Sequence, residues 1–339
     1  MEQAKITVII PCYNESESLP MFYPAITEIL QKTGRDYQLL FVNDGSKDLT
    51  LSYLHELARN DEHVDYISFS RNFGKEAALL AGLKNADGDY ISVMDADLQD
   101  PPEMLFDMIE ILDHDQADIA AARRMDREGE PPVRSFFSDQ FYRLINRISD
   151  TEVVNGARDF RLMKKEVVDV ITSMPERNRF SKGIFSWVGF RTKWLPYHHT
   201  DRVAGETKWS FWKLFKYAID GIENFSNAPL YISSGFGILM TLISIIAIVF
   251  LIVRKLAFGD PVAGWASTIC IVILIGGIQL FCLGIMGQYI AKIYTETKER
   301  PPYIIASKVL HTQEKAEQNI RADQSEQKSE SEKQTGKAD

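Results

Sequence analysis

Along the first 125 residues, apolar and polar positions switch repeatedly between two periods. "ITVIIPCY" (6–13) is a short run rich in β-branched residues, while "SESLPMFYPAITEILQKT" (16–33) spaces its apolar residues by three and four behind a serine start. The same switch recurs. Strand-like "YQLLFVND" (37–44), "VDYISFS" (64–70), "DYISVMD" (89–95) and "ADIAAAR" (117–123) are separated by helix-like "DLTLSYLHELARN", "GKEAALLAGLKNA" and "PPEMLFDMIEILDHD". Such alternation predicts an α/β fold, a mostly parallel sheet with helices on both faces. Ligands of such sheets bind beyond the carboxyl ends of the strands. Asn14, Glu15, Asp44, Asp95 and Asp97 all fall there.

Two later stretches abandon this rhythm. "PLYISSGFGILMTLISIIAIVFLIV" carries no charge, and after "RKLAFGDP" a second run follows, "VAGWASTICIVILIGGIQLFCLGIMGQYI". Each exceeds the roughly 20 residues a helix needs to cross a bilayer, so a hairpin of two transmembrane helices is expected at about 230–253 and 265–289. The preceding residues 1–208 are expected to form a cytoplasmic domain, because "MEQAKITVIIPCYNE" is too short in apolar residues for a signal peptide. This predicts a multi-pass protein of the cell (inner) membrane with both ends on one side. Flanking charges support that orientation only in part, since Arg254 and Lys255 fall in the outer loop. Gly276, Gly277, Gly284 and Gly287 in the second run permit close helix packing and a homo-oligomer.

Two segments read as amphipathic helices at the membrane interface, near 133–149 and at 209–228. In the first, Phe137, Phe141, Leu144, Ile145 and Ile148 share a face. In the second, Phe211, Phe215, Ala218, Ile222 and Phe225 do so. Residues 307–339 mix both charge signs with few apolar residues and read as a disordered cytoplasmic tail. A net charge of -9 gives no reason to expect a nucleic-acid partner. Cys12, Cys270 and Cys282 form no disulfide or zinc pattern.

"MDADLQDPPE" (94–103) carries the chemistry. Residues two apart on a strand face one way, so Asp95 and Asp97 can converge on one cation. Hard oxygen ligands suit Mg²⁺ or Mn²⁺, with a diphosphate completing the shell. Asp100, before Pro101 and Pro102, reads as the cap of the next helix. The chain has no G-x-G-x-x-G after its first strand and no G-x-x-x-x-G-K-[ST]. Polar side chains must therefore hold whatever nucleotide binds.

In order, "VIIPCYNE", "FVNDGSKD", "SRNFGKEAALLAGL", "MDADLQDPPE", "DFRLM" and "RVAGETKWS", followed by the apolar hairpin, resemble the polyprenyl-phosphate glycosyltransferases of glycosyltransferase family 2. The likeness covers roughly residues 5 to 300 and is strongest to the bacterial undecaprenyl-phosphate glucosyltransferases, relatives of dolichyl-phosphate mannose synthase. It implies a GT-A fold that moves one sugar from a nucleotide-diphosphate sugar, UDP-glucose or UDP-N-acetylglucosamine, to a polyprenyl phosphate at the lipid bilayer. By the same likeness Pro11, Tyr13, Glu15 and Asp44 serve the nucleotide sugar. Asp95 and Asp97 serve nucleotide and metal, Gln99 supports them, and Asp159 lies near the reacting carbon. Arg202 and Lys208 contact phosphates. The chain departs from the family pattern at Arg158, where a small residue is common, and at Thr207-Lys208-Trp209, where Ser-Lys-Tyr is common.

The chemistry can be argued separately. A phosphate monoester is largely dianionic at pH 7, so the acceptor needs a strong base less than it needs cations nearby. Arg123, Arg124, Arg127, Arg134, Arg143 and Arg147 crowd one region, and Arg134 is the expected acceptor-phosphate contact. Asp159 is then expected to position the acceptor or sugar more than to act as a base, unless it merely pairs with Arg158 or Arg161. A processive polysaccharide synthase would carry Gln-x-x-Arg-Trp, of which "ERNRF" (176–180) is the nearest text. A catalytically silent nucleotide-sugar-binding scaffold would not need Asp95, Asp97, Asp159 and Arg202 together.

Overall fold

The computed structural model describes residues 3–125, 146–147, 154, 156–197, 226, 228–258 and 265–311. Its strands are β1 (Ile6–Cys12), β2 (Tyr37–Asn43), β3 (Val64–Phe69), β4 (Tyr90–Val93), β5 (Ile119–Arg124), β6 (Ala157–Lys164), β7 (Thr192–Tyr197) and β8 (Ile305–Val309). They form a sheet in the order β7-β5-β6-β4-β1-β2-β3-β8. The alternation in the sequence is realised as α1 (Leu19–Thr33), α2 (Thr50–Asn60), α3 (Lys75–Asn85) and α4 (Met104–Asp113) between the first five strands. After β6 come α5 (Lys165–Ser173) and α6 (Ser181–Trp187).

The strands are apolar on both sides because both faces are covered. Ile6, Val8 and Ile10 of β1 pack with Phe22 and Ile26 of α1, while Ile9 on the other face packs with Ala78 and Ala81 of α3. At 25 cal/mol per Å² of apolar surface, each such fully buried side chain contributes about 2 kcal/mol. Gly82 lets α3 approach the sheet, since a Cβ there would stand 2.2 Å from Ile9 Cγ2.

Strands β1 to β4 are mutually parallel, so their carboxyl ends share one edge. Strand β6 then inserts antiparallel beside β4, with Val93 opposite Arg161. Extended by two residues, that register sets Asp159 across from Asp95.

Three expectations change. The tail expected from Ser307 does not begin there: Ser307, Lys308 and Val309 belong to β8, which pairs antiparallel with β3. Leu310 is 3% exposed, and the His311 amide donates to Asp65 Oδ1 at 2.8 Å. The edge of β3 has unpaired backbone groups to offer, and a strand of five residues satisfies them despite its polar neighbourhood. The domain therefore includes residues from beyond the apolar hairpin and not only 1–208. The two apolar helices, α7 (Ala228–Phe258) and α8 (Trp265–Thr297), also run past the expected ends. Both are long and apolar enough to cross a membrane. Leu239, Phe250, Leu280 and Phe281 point outward. The extra turns of α8 bring Glu296 to the amides of Arg177 and Asn178, each at 2.9 Å.

The proposed interface segments near 133–149 and 209–228, and residues 312–339, lie wholly or almost wholly outside the described residues.

Candidate active site

Two loops at the carboxyl edge are clasped by their own polar side chains. The Asn14 amide donates to Ser46 Oγ at 2.9 Å, and Asn14 Oδ1 accepts from the Lys47 amide at 2.8 Å. The Glu15 amide donates to Thr50 Oγ1 at 2.9 Å, and the Glu15 carboxylate accepts from Ser18 Oγ at 2.7 Å. Asn14 takes a φ of 54° to make this turn, a conformation asparagine tolerates better than most residues.

Beside the clasp, between the ends of β1, β2 and β3, lies a groove of about 520 Å³ lined by Tyr13, Asn43, Ser46, Ser68, Phe69 and Asn72, among others. Its size falls in the usual range of small-molecule sites, and its lining alternates aromatic faces with hydroxyl and amide groups. Gly45 makes it possible. With φ at 63°, a Cβ there would stand 2.3 Å from the carbonyl carbon of Arg71.

Asp44 reaches the expected strand end but is buried, and both its oxygens are engaged. The Phe73 amide donates at 2.6 Å and the Gly74 amide at 2.9 Å. Burial raises its carboxyl above the usual range, against the pull of those two amides. Asp44 thus shapes the wall of the groove by holding the loop between β3 and α3.

Asp95 and Asp159 come together, as the β4–β6 register requires, and what joins them is Lys75. Its Nζ lies 2.7 Å from Asp95 Oδ1, 2.9 Å from Oδ2 and 2.6 Å from Asp159 Oδ2. Burial alone would raise the Asp159 carboxyl, but Lys75, with Lys182 and Arg161 behind it, holds it well below the ordinary carboxylate range. Asp159 is therefore ionised at neutral pH. It pairs with neither Arg158 nor the Arg161 guanidinium, which sits over the Phe185 ring at 3.8 Å and donates to the backbone carbonyls of Arg158 and Asp159. Burial lowers Arg161 to about 10, which still leaves it charged.

Asp97 lies beyond β4 and not on it, since the strand ends at Val93. Asp95 and Asp97 are both partly exposed, while Met94 and Ala96 are buried. Asp97 Oδ1 accepts from the Gln99 amide at 3.2 Å.

Asp100 is not a helix cap. Helix α4 starts at Met104, with Glu103 before it and no side-chain cap bond. Asp100 is instead buried, and Oδ1 accepts from Arg158 Nε at 3.0 Å and from the Tyr197 hydroxyl. Arg158 also donates to Gln99 Oε1 at 3.2 Å. The unexpected arginine before Asp159 thus braces the turn that carries Asp95 and Asp97. A buried carboxylate is costly unless paired, and Arg158 supplies the charge.

Pro11 is the next-to-last residue of β1 and stands opposite Val42 of β2. Arg134, Arg202 and Lys208 lie outside the described residues. Lys75 and Glu76 receive no role from the sequence, although both stand within "SRNFGKEAALLAGL".

The glycosyl transferase family 2 model matches residues 7–172. The chain is 41% identical over 304 residues to a bactoprenol glucosyl transferase of Shigella phage SfX, covering 90% of this chain and 99% of that one. It is 42% identical over 301 residues to a prophage bactoprenol glucosyl transferase homolog of Escherichia coli strain K12, covering 89% and 98%. To the glycosyltransferase CsbB of Bacillus subtilis, described as putative, it is 41% identical over 305 residues, covering 90% and 92%.

Proposed function

The chain belongs to glycosyltransferase family 2, and from that premise we propose that it transfers one sugar from a nucleotide-diphosphate sugar to a polyprenyl phosphate at a membrane surface. The observation that carries this reading is the near full-length match to bactoprenol glucosyl transferases. UDP-glucose and UDP-N-acetylglucosamine are the favoured donors, and undecaprenyl phosphate the favoured acceptor.

In this reading the nucleoside lies in the groove between Tyr13 and Asn72, with Glu15 and Asp44 supporting its wall. The donor set fits Mg²⁺ or Mn²⁺. Asp95 and Asp97 offer hard oxygens just beyond β4, and a diphosphate would supply further oxygens of the shell. Bound through these two carboxylates, the ion would neutralise charge on the departing diphosphate.

The acceptor phosphate oxygen attacks the anomeric carbon as the bond to the diphosphate oxygen breaks, and the configuration inverts. A carboxylate held far below its usual pKa is a poor general base. Asp159 therefore serves by position, fixing the sugar or acceptor from the β6 side, and the dianionic phosphate needs no deprotonation. Arg134, Arg202 and Lys208 are the proposed phosphate contacts. The apolar helices hold the domain to the bilayer, with the catalytic side cytoplasmic. A homo-oligomer belongs to the same reading: Gly276, Gly277, Gly284 and Gly287 have open space where a Cβ would stand.

The test incubates membranes holding the protein with each of a panel of labelled nucleotide sugars, undecaprenyl phosphate and Mg²⁺, then extracts with organic solvent. A single mild-acid-labile sugar in the organic phase is expected. Polymer would point to a synthase, and binding without transfer to a scaffold.

A further inference from the structure

Lys75 has more to do than neutralise Asp159. An ammonium carries three N–H donors, and three carboxylate oxygens meet this one: both of Asp95 and one of Asp159. Each lies within 2.9 Å of it. Asp97 is two residues from Asp95, so three negative side chains share the turn and the neighbouring strand. Like charges so placed repel, and the chain itself supplies the cation that holds them together.

A divalent ion that takes an oxygen of Asp95 meets this ammonium on the same carboxylate. Two cations at contact distance repel, so they compete for that carboxylate. Lys75 can yield, because its side chain is 39% exposed and ends in a flexible four-carbon stem. Its backbone stays in place, since the next residue, Glu76, is bound to the Ser181 amide at 2.9 Å.

We infer that Lys75 is an exchangeable resident cation of the site, which occupies Asp95 until a divalent ion takes that carboxylate and then keeps Asp159 while turning its released N–H groups to diphosphate oxygens. It is a positioning residue for the transfer, and the inference rests on the transferase reading for the identity of the diphosphate.

The experiment titrates purified full-length wild type, Lys75→Met and Lys75→Arg in detergent with Mn²⁺ alone, reading free Mn²⁺ by electron paramagnetic resonance. Lys75→Met is expected to bind Mn²⁺ about tenfold tighter than wild type, because its competitor is gone. Lys75→Arg keeps the charge and is expected to stay within about twofold of wild type. Equal affinity in all three proteins, or weaker binding in Lys75→Met, overturns the exchange. Should Lys75→Met fail to fold by thermal unfolding, Lys75→Gln is held to the same expectation. The readout uses neither donor nor acceptor. A wild type that makes no lipid-linked sugar would therefore sink the transferase reading and leave the exchange to be judged by its own titration.

Discussion

Glu76, in the first turn of α3, accepts hydrogen bonds from both the backbone amide and the hydroxyl of Ser181, the first residue of α6. The contact fixes α6, whose Phe185 lies under the Arg161 guanidinium behind Asp159. Two consecutive residues of one helix thus serve one site, Lys75 by charge and Glu76 by anchoring its neighbour. Replacing Glu76 with Ala leaves a part-buried amide and hydroxyl without their acceptor, at a cost of about 1–3 kcal/mol. Chemical unfolding reads this directly, and a loss below about 0.5 kcal/mol would contradict the anchoring role.

Gly45→Ala is expected to damage the groove severely. The substitution sets a Cβ against the Arg71–Asn72 peptide, at 2.3 Å from Arg71 C and 2.6 Å from Asn72 N, in a left-handed backbone conformation. Strain and overpacking together amount to about 3 kcal/mol. UDP binding by calorimetry should be lost while the sheet remains folded; binding at wild-type strength would show that the nucleotide binds outside this groove.

Arg158→Met strands a buried carboxylate, at a cost of about 3–5 kcal/mol at neutral pH. Burial already raises the Asp100 carboxyl from 3.8, opposed by Arg158 and Tyr197. A carboxyl raised in the folded state contributes its full stability below pH 3.8 and loses it as pH rises through the folded pKa. Without Arg158 the folded pKa climbs further. The stability gap between wild type and variant should therefore be smallest near about pH 4 and widest near about pH 8. Unfolding curves across that range decide it, and a gap independent of pH would refute the pairing.

Ending the chain after Pro302 removes β8, the Tyr303 ring stacked on Phe69 at 4.9 Å, and buried Leu310. The bared edge of β3 is expected to aggregate. Ending it after His311 keeps all three and should leave the unfolding midpoint unchanged. Size-exclusion chromatography in detergent separates the outcomes; a monodisperse shorter form would show that β8 is dispensable.

The strand-end positions of Asp44 and Asp95 are legible because buried parallel strands leave continuous apolar runs, and the residues after each run fall at the carboxyl edge of the sheet. Their partners left no such mark. Lys75 reads as an ordinary polar start to a helix, and its reach to Asp159 exists only because β6 enters antiparallel beside β4. Asp100 before two prolines has the local chemistry of a cap. It is overruled by Arg158 and Tyr197, which stand 58 and 97 residues away in the chain. Strand β8 was hidden for another reason: five residues of weak alternation, set against a polar sequence, carry little signal until the edge of β3 is there to receive them.

The return of the chain to β3 also acts mechanically. Only residues 298–304 join α8 to β8, a cord that spans at most about 24 Å when fully extended, and Glu296 clips one end of it to Arg177 and Asn178. The sheet cannot drift from the tip of the helix pair. The tip of α8 is thereby kept within that reach of the carboxyl end of β3, where Ile305 stands opposite Phe69.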